Sequence, residues 1–232
     1  MRIAAAADLQ PVLPALTADF ERSTRTKIEV SYASSATLAT QIVNGAPYDL
    51  FLAANLAFPQ KVVDANLSEE RSPVPYARGT LVLWMRNGVV SGPLAMQAMT
   101  DASVHRIAVA NPQHAPYGAA AIAALHSSGL YATLQSKFVF AENIAQAAQF
   151  AQSGNAQCAL ISKTLAITPA FQQAGRFVEV PAGSYPPLLQ GAVVLRNAPQ
   201  KQAAVAFLLY LGSPAGRRLL LGSGLDAPAA AH

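Results

Sequence analysis

The chain has 232 residues, 52% of them hydrophobic and 12% charged, with a formal net charge of +4 and a single cysteine. That composition excludes an intrinsically disordered chain, and one thiol excludes a disulfide framework or a cysteine metal site. The basic residues are scattered (Arg22, Arg25 and Lys27, then Arg217 and Arg218), which argues against nucleic-acid binding, and no run of about 18 apolar residues reads as a membrane span.

In chain order, Ile3 to Ala6 reads as a strand and residues 11–23 as a helix. Lys27 to Ser31 alternates as a strand, residues 36–44 are helical and stop at Gly45, Leu50 to Ala53 is an apolar strand, and residues 59–65 are helical. A second cycle begins near Gly79. Strands are expected at Leu81 to Met85, Ile107 to Ala110, Phe138 to Phe140 and Ala159 to Ser162, with helices over 117–127 and 144–153. A strand over 190–195 and helices over 201–211 and 213–221 follow, and residues 226–232 read as a frayed tail. The alternation predicts an α/β fold with largely parallel sheets. It divides into one lobe of residues 1–78 plus 189–232 and another of 79–188. Cys158, in the run Cys158-Ala159-Leu160-Ile161, is expected to be a buried small hydrophobe.

Three strand-to-helix junctions share a character: Ala6 to Pro11, Tyr32 to Thr37, and Asn111 to Gly118. Each places small or hydroxyl residues where a helix begins. Free backbone N–H groups and the positive end of the helix dipole point out of such junctions, and they lie at the carboxyl ends of strands, where α/β folds bind ligands. Several of them together make an anion site that needs no Lys or Arg. Taken singly, each is equally an ordinary helix cap.

Ala4 to Leu9, Ser31 to Ala39, Gln41 to Phe51, Ala115 to Gly118, and Tyr185 to Pro187 with Gln190 to Val193 together resemble the molybdate-binding proteins of bacterial ABC transporters. The blocks span nearly the whole chain, and Ser34 to Phe51 is the most specific. The resemblance implies a type II periplasmic-binding-protein fold. Its two lobes are each a mixed, mostly parallel sheet flanked by helices, and the ligand sits in the interlobe cleft. It implies a monomeric solute-binding component for molybdate and tungstate that uses no cofactor, docks on a membrane permease and works in the periplasm. Met1-Arg2-Ile3 runs straight into a strand, which is expected either of a cytoplasmic protein or of a mature N-terminus from which a secretory signal has been removed.

The resemblance also implies site residues. Ser35 would offer its hydroxyl and backbone N–H, with Ser34 beside it. Tyr117 and Ile161 would offer backbone N–H groups, and the Tyr185 hydroxyl would close the site. Asp8 stands where many relatives have a Ser or Asn ligand. A carboxylate about 4 Å from a dianion is repelled by roughly 4 kcal/mol per unit-charge pair at an effective dielectric near 20. Asp8 is therefore expected to turn back and cap the helix near Pro11, leaving its backbone N–H for the anion. A hydrogen bond from Ser34 or Ser35, or a different ligand, is the alternative.

Another oxyanion or a small organic anion remains open on the same fold. An enzyme is disfavoured. His105, His114, His126 and His232 are far apart, and no Gly-x-Ser-x-Gly elbow or Gly-x-x-x-x-Gly-Lys loop is present.

Overall fold

The run Ile3-Ala4-Ala5-Ala6 has no polar residue to turn towards water, as a strand covered on both faces requires, and it lies inside the first sheet. The computed structural model describes residues 1–228. From the start, β1 (Arg2–Ala6) leads through a one-turn helix (Ala7–Leu9) to α1 (Leu13–Thr24), β2 (Glu29–Ala33) and α2 (Ser35–Val43). Then come β3 (Leu50–Ala53), α3 (Ala57–Asp64) and β4 (Val74–Gly79). The middle of the chain forms β5 (Leu81–Arg86), β6 (Ile107–Ala110), α4 (Pro116–Ser127), α5 (Tyr131–Leu134), β7 (Phe138–Ala141) and α6 (Ile144–Gln152). It continues with β8 (Cys158–Ser162), α7 (Lys163–Ala166), α8 (Pro169–Ala174) and β9 (Gly175–Glu179). After these come β10 (Leu188–Val194), α9 (Lys201–Leu211) and α10 (Pro214–Gly222). Two compact units result: Met1–Gly79 with the chain from Leu189 onward, and Thr80–Leu188.

The sheet of the first unit has the order β2-β1-β3-β10-β4. β1 runs parallel to β2 and β3, with Ile3 opposite Val30 and Leu50, while β10 runs antiparallel to β3, with Gly191 opposite Ala53. Successive side chains point to opposite faces of a strand. Ile3, Ala5, Leu50 and Leu52 accordingly meet Leu13, Leu16, Phe20, Phe207 and Leu211 from α1 and α9. Ala4, Phe51, Ala53 and Val193 instead meet Leu38, Ile42 and Val62 from α2 and α3. Each fully buried Leu, Ile, Val or Phe among these contributes roughly 1.5–3 kcal/mol. The Phe20 and Phe207 rings meet edge to face, with centroids 5.1 Å apart. Buried Asp49 fastens the sheet, accepting the backbone N–H of Arg2 at 2.6 Å and of Gln200 at 2.9 Å.

The second unit has the order β7-β6-β8-β5-β9. β6 is parallel to β7 and β8, and β5 is antiparallel to β8 and β9. Trp84 on β5 is fully buried, and its indole N–H donates to the Phe171 carbonyl at 3.1 Å. Cys158 is fully buried at the start of β8, and burial pushes its thiol up to about 12.

Strand β4 is absent from the sequence reading, since Pro75 argues against a strand. The structure resolves this by placing β4 at the edge of its sheet, where a missing N–H is tolerated. Asp226, expected in a frayed tail, instead exchanges backbone hydrogen bonds with Arg78 at 2.8 and 2.9 Å. Residues 229–232 of that expected tail lie outside the described residues.

Candidate functional site

The turn from β2 into α2 is built by two adjacent serines with different tasks. Ser34 is the N-cap: its backbone is extended, and its Oγ accepts the Thr37 N–H at 3.1 Å and shares a hydrogen bond with Thr37 Oγ1 at 2.7 Å. Ser35 opens the helix, is buried, and its Oγ accepts the backbone N–H of Ala54, just past β3, at 3.1 Å. A hydroxyl oxygen that accepts from the backbone turns its own proton towards another acceptor. Ser35 is thus a donor held in place at a helix start, where partial positive charge gathers.

Asp8 sits in the one-turn helix after β1 and is fully buried. It does not cap the next helix, because Val12 occupies the N-cap of α1 with no side-chain cap bond. Instead the Gln190 amide Nε2 donates to Asp8 Oδ2 at 2.5 Å, and the Tyr76 hydroxyl donates to Gln190 Oε1 at 2.7 Å. Burial, followed by the nearby Asp8 charge, raises the Tyr76 pKa well above its ordinary value, so the phenol keeps its proton. Gln190 precedes Gly191, which pairs with Ala53, and Ala54 holds Ser35. Asp8, Ser34 and Ser35 therefore gather at the carboxyl ends of β1, β2 and β3.

The second unit repeats the device with other residues. Pro116 occupies the first position of α4, where its missing N–H costs nothing, and buried Tyr117 follows in the first turn. The helix start sits so close to β6 that a Cβ on Gly118 would lie 2.1 Å from the Ala110 carbonyl oxygen. Ile161, fully buried, is the penultimate residue of β8 and pairs with Val82. Tyr185 is buried, and its hydroxyl oxygen accepts the Leu81 N–H at 3.1 Å. Leu81 pairs with Ser162, the residue after Ile161. The three residues predicted for this half thus cluster around the end of β8 and its neighbours.

Sequence reasoning passed over Gln190 and Tyr76 as site residues. Gln190 belongs to a block that carries the resemblance, but its role depends on a bond to Asp8 across most of the chain, which no local pattern shows. Ser162 and Thr164 were also passed over. Both are buried, their hydroxyls lie 2.8 Å apart, and Ser162 is the N-cap of α7. His114 lies on the surface, with Nδ1 3.5 Å from Glu142 Oε1. Among the described residues no group of three or more His, Cys, Asp or Glu side chains is placed to hold a metal ion.

Comparison with known proteins places this arrangement among others. The model of the bacterial extracellular solute-binding protein family matches residues 1–226. The molybdate-binding protein ModA of Rhodobacter capsulatus is 34% identical over 195 residues, covering 84% of this chain and 75% of the relative. The molybdate-binding protein ModA of Azotobacter vinelandii is 32% identical over 225 residues, covering 97% of this chain and 88% of the relative. The solved periplasmic molybdate-binding protein of Azotobacter vinelandii superposes with a TM-score of 0.91 at 29% identity, covering 98% of this chain and 99% of that one. The sulfate-binding protein SubI of Mycobacterium tuberculosis shares the fold, with a TM-score of 0.80 at 14% identity over 99% of this chain and 87% of that one.

Proposed function

The chain belongs to the bacterial extracellular solute-binding protein family, and we propose that within it this protein is the molybdate-binding component of an ABC importer. Relatives named as molybdate-binding, 32% and 34% identical over most of the chain, support that reading. The observation that carries it is chemical. Ser35 and Tyr185 each have a hydroxyl oxygen that accepts a backbone N–H, at 3.1 Å in both cases, which leaves the O–H proton of each to donate onward. Outward-facing neutral donors suit a fully ionised oxyanion, which accepts at every oxygen. A protonated oxyanion would set donor against donor.

The anion takes its donors from the residues that the resemblance implies. Ser35 supplies its hydroxyl and backbone N–H, with Ser34 beside it, and Asp8 supplies its backbone N–H. Tyr117 and Ile161 supply backbone N–H groups, and Tyr185 its hydroxyl. Charge-assisted bonds of this kind are worth about 1.5–3 kcal/mol each, and several of them replace the hydration shell without any lysine or arginine. Tungstate, tetrahedral and doubly charged like molybdate, fits the same donors. The protein acts by binding, as a periplasmic monomer that delivers its anion to a membrane permease.

A thermal melt with molybdate, tungstate, sulfate, phosphate or buffer alone tests this. At about 1,000 times the dissociation constant a ligand adds roughly 4 kcal/mol. A chain of this size gains roughly 2–4 °C in Tm per kcal/mol. A rise on the order of 10 °C with molybdate and tungstate alone is expected, and no rise with either would overturn the assignment.

A further inference from the structure

A buried carboxylate is an odd neighbour for a dianion, and its surroundings show how it is held. The Tyr76 hydroxyl donates to Gln190 Oε1 at 2.7 Å, which leaves the amide only its N–H groups to turn towards Asp8. One of these donates to Asp8 Oδ2 at 2.5 Å. All three residues are buried, with Asp8 and Gln190 fully so. An amide donor on the carboxyl oxygen favours the ionised acceptor over the acid. The group is placed at the anion end of the first unit. Gln190 adjoins the Gly191–Ala53 pair, and the next residue, Ala54, holds Ser35.

We propose that Asp8, held by Gln190, reads the charge of the bound oxyanion, weakening a doubly charged tetrahedral anion relative to a singly charged one of the same shape. Asp8 is the specificity-determining residue and Gln190 its positioning residue. The inference rests on the oxyanion reading above. Two isosteric tetrahedral anions use the same donors and fill the same space, but their repulsion from a fixed carboxylate scales with their own charge. At an effective dielectric near 20, one extra unit-charge pair changes an equilibrium by roughly tenfold even at about 10 Å. Removing the Gln190 amide strips the carboxylate of the donor that positions it and shrinks the discrimination.

The test is calorimetric titration of the full chain with molybdate (charge −2) and perrhenate (charge −1), both tetrahedral. Asp8→Asn should tighten molybdate at least about tenfold more than it changes perrhenate. Asp8→Ser provides a second neutral side chain should Asp8→Asn fail to melt cooperatively. Gln190→Leu should move the molybdate-to-perrhenate ratio in the same direction in the wild-type background, and leave it unmoved in the Asp8→Asn background. A loss of packing alone would weaken both anions together. Equal changes for the two anions in both Asp8 variants would overturn the inference while leaving the oxyanion function intact. Failure of the unmodified protein to bind either anion would overturn both.

Discussion

The phenolic oxygen of Tyr185 accepts the backbone N–H of Leu81 at 3.1 Å, although the two residues are 104 positions apart. The bond ties the segment before β10 to the first residue of β5 and fixes where the phenol proton points. Tyr185→Phe removes both the acceptor for Leu81 and the outward donor. Molybdate affinity should fall by about 1–3 kcal/mol, and ligand-free stability by a similar amount because the buried Leu81 N–H loses its acceptor while the ring stays packed. Titration and a ligand-free melt separate the two effects. Unchanged affinity would remove Tyr185 from the site.

Ser35 plays the matching part in the first unit, since its oxygen also accepts a buried backbone N–H. Ser35→Ala leaves the Ala54 N–H without its acceptor in a buried place, a penalty of about 1–3 kcal/mol, and also deletes the donor proposed for the anion. Ser35→Cys keeps a weak acceptor of similar size. Stability should follow the order wild type, Cys, Ala in urea titrations, with affinity lowered in both variants. If Ser35→Ala binds molybdate as wild type does, the hydroxyl is a structural staple only.

These residues also show what a sequence reveals. The helix starts at Ser35 and near Tyr117 were legible because helix starts announce themselves locally through caps, prolines and small residues, while the parts of these two residues in a site were read from the resemblance alone. The apolar runs of β1, β3, β6 and β8 were legible because strands covered on both faces admit no polar alternation. Strand β4 was hidden by Pro75, which an edge position tolerates. Strand β9 was hidden because Gly-Arg-Phe-Val-Glu opens on a glycine, carries two charged residues among its five, and sits at the other sheet's edge. The Asp8–Gln190–Tyr76 chain was not legible. Its members lie on β10, β4 and the turn after β1, and only the strand order brings them together. The cap assigned to Asp8 failed for a local reason: α1 starts at Leu13, two residues beyond the expected Pro11, and out of reach of that cap.

Gly118 is needed for space rather than for backbone freedom. A Cβ there would meet the Ala110 carbonyl oxygen at 2.1 Å and its carbon at 2.8 Å, and both are backbone atoms that cannot rotate away. Gly118→Ala must therefore push the first turn of α4 off the end of β6, carrying Tyr117 with it. Overpacking of this kind costs about 1–3 kcal/mol. The expected result is a lower ligand-free Tm together with a loss of molybdate affinity larger than the stability loss alone explains. Full-strength binding in this variant would mean that the N-terminus of α4 contributes nothing to the site.

Cys158 gives the last prediction, and its sign follows from burial. The thiol is fully enclosed at the start of β8, and desolvation pushes it from its ordinary 9.0 up to about 12. In the folded protein the thiol therefore stays protonated over a range where the unfolded chain ionises. A raised acid pKa contributes stability that is fully present below about pH 9 and lost as pH rises towards about 12. At about 1.4 kcal/mol per pH unit, the full difference is of order 4 kcal/mol. Tyrosines and lysines titrate in the same range, so the comparison is with Cys158→Ala. That variant carries a pH-independent packing loss and lacks the thiol's contribution to the slope. Unfolding free energies from urea titrations at pH 8, 9 and 10 should fall more steeply for the wild type than for Cys158→Ala. A thiol reagent at pH 8 should label the native protein only at the rate of unfolding. Parallel pH slopes, together with rapid labelling of the native state, would show that the thiol is reached by water.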